Sequence, residues 1–97
     1  MPLNYLNPVV SSAAITTNSA STYHTLTGQA EQISLCSECT DEDFYFTFDS
    51  TADVSSLTSN LQYCPGGYNL LINVNKPAYI NLVEGTSSGH IHIIEFV

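Results

Sequence analysis

Arginine does not occur in this chain and lysine occurs once, at Lys76, against nine acidic residues, giving a formal charge of −8 over 97 residues. That balance disfavours nucleic acid as a partner, because its binders neutralise phosphates with Lys and Arg. An anionic membrane surface is disfavoured on the same ground. No apolar run approaches the roughly 20 residues of a membrane span. Charged residues make up 10% of the chain, against roughly 25% in an ordinary globular domain. Ser, Thr and Asn together supply thirty residues, so hydroxyl and amide groups do most of the wetting. A small β-domain with that exterior reads as a structural or interaction module rather than an enzyme.

Further absences narrow the class. Met1-Pro2-Leu3-Asn4-Tyr5 has no basic region and no continuous apolar stretch, so it does not read as a signal peptide. Three cysteines do not make a secreted disulfide framework, and assembly in a cytoplasm is the expectation. There is no nucleophile elbow, no phosphate-cradling glycine loop and no His–acid pair at motif spacing. No enzyme and no cofactor is expected. At this length the chain is a single small domain that buries only about 60–65% of its unfolded surface, and it would gain from oligomerising.

What is present is a two-part organisation, an extended arm over residues 1–21 and a β-domain over 22–97. The arm carries two prolines and a tract of small and β-branched residues, Ser11 to Ser21, with little periodicity. One reading is a loose terminus. The other is a segment lying along a neighbouring molecule, anchored by Leu3, Tyr5, Leu6, Val9 and Val10 and kept extended by Pro2 and Pro8.

From Thr22 onward the pattern is strand and turn. Thr22–Thr27 and Gln29–Leu35 are β-rich runs parted by Gly28. Asp43 to Asp49 alternates strictly, with Phe44, Phe46 and Phe48 on one face, the signature of a half-buried strand. A polar loop over Ser50–Asn60 follows, then a short strand Leu61–Cys64 and the turn Pro65-Gly66-Gly67. Tyr68–Val74 and Ala78–Val83 are expected strands, joined by Asn75-Lys76-Pro77 as a hairpin turn. Gly85–Gly89 leads into a last strand, His90–Val97. Short strands at this spacing, with no 3.6-residue period anywhere, predict an all-β antiparallel sandwich of jelly-roll type.

Three groups of residues could carry chemistry. Cys36 and Cys39 at Cys-x-x-Cys spacing, Cys64, and the i, i+2 pair His90 and His92 contain the ingredients of a zinc site. They come from three segments whose proximity spacing alone does not give. With Ile91 and Ile93 facing the core, the two imidazoles should point outward, so no metal is the preferred expectation. Glu38, Asp41, Glu42 and Asp43 cluster four carboxylates on one loop without the ordered spacing of a calcium loop, and a solvated loop is the plainer reading. Tyr63 and Tyr68, flanking the Pro-Gly-Gly turn, could stack a glycan or a partner, or simply pack.

Over residues 33 to 97 the order of features resembles small β-sandwich decoration (cement) proteins of tailed-phage capsids. The matching stretches are Ile33–Thr40, Phe44–Asp49, Ser50–Asn60, Pro65-Gly66-Gly67-Tyr68, Tyr79-Ile80, Glu84-Gly85-Thr86 and Ile91–Phe96. The Cys-x-x-Cys and the paired histidines depart from that layout, and the arm is matched by no motif. The resemblance implies a virion structural protein on the outer capsid surface. It would be a homotrimer bound to the major capsid protein, stabilising contacts between capsid subunits. A carbohydrate- or host-surface-binding module of a tail or head fibre is the alternative.

Overall fold

The computed structural model describes residues 9–19, 22–50 and 61–97. Among them are eight strands and no helix: β1 (Val9–Thr16), β2 (Thr22–Thr25), β3 (Gln32–Ser37), β4 (Phe44–Asp49), β5 (Gln62–Cys64), β6 (Asn69–Asn73), β7 (Tyr79–Glu84) and β8 (His90–Phe96). They form two four-stranded sheets, ordered β1-β8-β3-β6 and β2-β7-β4-β5, with every pair antiparallel. Consecutive strands change sheet at every connection except β4 to β5. This is the jelly-roll arrangement of two packed Greek keys, and the all-β sandwich expected from the sequence is what the chain forms.

The core follows from period-2 alternation. Phe44 and Phe46 of β4 and Ile80 and Leu82 of β7 face inward from the second sheet, and Ile33, Leu35, Ile91 and Ile93 face them from the first, all 0–1% exposed. The three phenylalanine rings pack in series, with centroids 5.8 Å and 5.7 Å apart, which suits edge and tilted aromatic contact. The same alternation puts Glu95 inward, 1% exposed, one step beyond Ile93 on β8. Its Oε1 accepts hydrogen bonds from the Thr27 N–H (3.0 Å) and the Thr27 hydroxyl (2.8 Å), so this carboxylate ties the end of β8 to the β2–β3 connection.

Two expectations change. Val9–Thr16, read as part of an extended arm, is an edge strand that pairs with β8 from Val9↔Phe96 to Thr16↔His90, with an irregularity between Val9 and Ser11. Small Ser and Ala side chains hide the alternation there, but residue by residue the strand follows it (Ala13 and Ile15 half-buried, Ser12 and Ala14 exposed). Val9 and Val10 therefore belong to the sheet, whereas Leu3, Tyr5 and Leu6 lie outside the described residues. The second change is at Asn75-Lys76-Pro77. This turn joins no hairpin, since β6 lies in one sheet and β7 in the other.

Candidate functional site

The antiparallel register gathers the turns at two ends of the sandwich. At one end lie the β3–β4, β5–β6 and β7–β8 connections, and Asp43 is their common point. Asp43 is 8% exposed. Its Oδ2 accepts the Tyr63 hydroxyl at 2.8 Å and its Oδ1 accepts the Thr86 N–H at 2.7 Å, while its carbonyl accepts the Gly85 N–H at 2.9 Å. The Thr86 amide first, and the Tyr63 hydroxyl after it, hold the Asp43 carboxyl below the ordinary carboxylate range. The same bond pushes the Tyr63 phenol up. A Cβ on Gly66 would overlap the Thr40 carbonyl, so only glycine lets the β5–β6 turn lie against the β3–β4 loop.

The carboxylates of that loop do not converge on a common point. Glu38 meets the His92 ring, Oε1 to Nε2 at 2.8 Å. Glu42 Oε1 accepts the Cys39 N–H at 3.2 Å, and Asp43 turns in toward Tyr63 and Thr86. The Cys and His candidates are spread likewise. His92 is opposite Cys36 in the β3–β8 register, and both histidines are exposed. Cys64 is buried on the interior side of the other sheet, and Cys39 is exposed in its loop. Among the described residues no group of three His, Cys, Asp or Glu is placed to hold a metal ion.

The three thiols are free and differ in character. Burial pushes the Cys64 thiol up to about 11, and Glu42, then partial desolvation, then Asp41 and Glu38 raise that of Cys39. Because the thiolate is the nucleophile, iodoacetamide at pH 8 should leave Cys64 unmodified in the folded protein. It should alkylate Cys39 more slowly than an unstructured cysteine, and salt should speed that reaction by screening the acids. Peptide mapping after a timed quench checks this. Rapid native labelling of Cys64 would contradict the burial.

A second feature is the outer face of the second sheet. Residues out of phase with the Phe stripe point away from the core there. Tyr23, Tyr45 and Tyr63 are 44%, 37% and 49% exposed, and Tyr79 is half-buried beside them. The Tyr45 and Tyr63 rings are 5.0 Å apart and those of Tyr23 and Tyr79 5.9 Å apart. Between the pairs, in register with Tyr23, lie half-buried Thr47 and Asn81, the latter fully buried beneath the surface, and Val83 is in register with Tyr45. Asp49 is the one charged residue among the described strand residues of that face. Sequence reading found Tyr63 but missed Tyr23, Tyr45 and Tyr79. The signal for Tyr45 was available, since it interrupts the Phe alternation and must face out. Tyr68, 55% exposed, leads into β6 in the other sheet, and the ring that packs with Tyr63 is Tyr45.

No protein-family model and no curated protein matches the chain. Among solved structures, the fold is similar to that of protein NMB1881 from Neisseria meningitidis, with a TM-score of 0.54 and 10% identity, covering 100% of this chain and 89% of that one. It is also similar to a cupin-2 domain containing protein from Shewanella frigidimarina, with a TM-score of 0.50, 10% identity, and coverage of 100% and 85%. At that identity the likeness concerns the fold alone, and a jelly roll hosts unrelated functions.

Proposed function

We propose that this chain is a non-catalytic structural protein, a decoration protein that binds the outside of a phage head as a homotrimer and bridges major capsid subunits. The observation that carries this reading is the broad tyrosine face of the second sheet. It is low in charge and presents Tyr, Thr and Val, the composition of interface centres, where tyrosine is enriched and charge depleted. Tyrosine gives large contact area at low cost in side-chain entropy. A sheet face is wide and lacks the concavity of a small-molecule site, so a protein surface is the partner whose shape it fits. The interior of the sandwich is filled by Phe44, Phe46 and the facing isoleucines. An acidic exterior suits the outside of a shell better than its DNA-facing side. Many identical contacts would stabilise the lattice by binding only the assembled state.

Co-sedimentation with undecorated heads of the phage that carries its gene tests the proposal. The chain should pellet at a fixed saturating ratio. Tyr23→Ala and Tyr45→Ala, whose hydroxyls make no hydrogen bond among the described residues, should each weaken pelleting about tenfold or more, as interface anchors do. Removing residues 1–8 should weaken it as well; a cut at 21 would also delete an edge strand and confuse the result. A chain that stays in the supernatant at saturating heads, or tyrosine variants that pellet normally, would overturn the reading.

A further inference from the structure

We infer that the open pocket at the end of the sandwich opposite Asp43 binds an acidic sugar, with Lys76 holding the sugar's carboxylate. The pocket, about 580 Å³, lies where β4 ends, β5 begins and the chain crosses from β6 to β7. That volume is within the roughly 300–1,000 Å³ of ligand sites. Its walls mix apolar groups (Phe48, Ile72, Pro77) with the polar side chains of Gln62, Asn75 and Lys76. This site meets the tyrosine face only at Asp49 and does not rest on the shell-binding reading.

Three observations select the ligand. First, Lys76 is the sole Lys or Arg of a chain with nine acids, yet among the described residues it makes no ion pair. An ammonium at a pocket rim can hold one anionic group. Second, Lys76 has φ of +51°, the only positive φ at a non-glycine among the described residues. The left-handed region is costly for a residue with a Cβ, and Asn or Gly would fit there more easily. The Lys76 N–H is fixed to the Ala30 carbonyl at 2.9 Å. Third, the Gln62 and Asn75 amides make no hydrogen bond within the described protein, and each offers donors and an acceptor. Asp49 also lines the pocket; it would repel a second anion but accepts from a hydroxyl. One carboxylate, several neutral hydroxyls and an apolar ring face are the chemistry of a uronic acid. A fatty acid would offer those amides no hydroxyl partners.

Amide-resolved NMR titration of the full chain with methyl glucuronide, methyl glucoside and hexanoate tests this. Methyl glucuronide should shift the amides around residues 72–78 in a saturable way. Methyl glucoside, lacking the charge, and hexanoate, lacking the hydroxyls, should each bind about tenfold more weakly. Lys76→Asn removes the ammonium while tolerating the left-handed backbone, and should bring glucuronide down to the glucoside level. Lys76→Arg should keep the preference. The variants' own spectra report whether they fold. No saturable shift at the pocket, equal shifts from all three probes, or a Lys76→Asn protein that still prefers glucuronide would overturn the assignment, whatever the chain does with phage heads.

Discussion

Replacing Phe46 by Ala should lower the unfolding free energy by about 3–5 kcal/mol, among the largest effects expected of a single side-chain truncation in the described core. Phe46 is fully buried and packs between Phe44 and Phe48. Its strand is paired on both sides, to Gln62 of β5 and Leu82 of β7 at this position. A strand held by two neighbours cannot move in to fill the void, so the cavity adds to the lost transfer energy. Domains of this size have only about 5–15 kcal/mol in total, and the melting temperature should fall on the order of 20 °C. Urea denaturation reads the loss as a lower midpoint at unchanged slope. Tyr45→Ala, one residue away on the opposite face, should cost under about 1 kcal/mol. Similar losses at both positions would mean that the two-face description of β4 is wrong.

Much of this architecture is legible in the sequence because a strand's alternation is local. Phe44-Tyr45-Phe46-Thr47-Phe48 announces an inner and an outer face by itself, and Ile91 and Ile93 send His90 and His92 outward. The same rule places Glu95 in phase with the core, which the eye passes over because a carboxylate is expected at the surface. Val9–Thr16 was harder to read, since Ser and Ala contrast little with each other. Which sheet a strand joins is not local information. Asn75-Lys76-Pro77 has the chemistry of a reversal, but only the packing of two finished sheets decides that the reversal crosses between them. The Asp43 anchor is hidden for the same reason. Its partners Tyr63 and Thr86 are 20 and 43 residues away, and nothing at Asp43 itself points to either. The pocket around Lys76 likewise needs β4, β5 and β6 in place before its lining exists.

Asp43→Ala should cost about 2–3 kcal/mol, because it strips the acceptor from a charge-assisted pair of hydrogen bonds and leaves the Thr86 N–H without one. The pH dependence identifies the cause. The Thr86 amide, then the Tyr63 hydroxyl, lower the folded carboxyl below its unfolded value, so the folded state binds that proton less readily. The stabilisation is therefore complete above the unfolded carboxylate value, about 4, and is lost as pH falls through the lower folded one. Urea midpoints of the wild type should drop steeply over that acid window, and those of Asp43→Asn should drop less. The alkaline limb runs the other way. Tyr63 is raised in the folded state, chiefly by its bond to Asp43. Its contribution holds below the ordinary phenol value, about 10, and disappears as pH rises through the raised one. Tyr63→Phe should flatten that limb and reduce the acid slope without abolishing it, since the Thr86 amide still donates to Asp43. Parallel curves for wild type and Asp43→Asn below pH 5 would sink the account. Gly85→Ala gives an independent check, because a Cβ there would run into the Asp43 carboxylate. It should displace the carboxylate from Thr86 and flatten the acid limb much as Asp43→Asn does, with Asp43 itself intact.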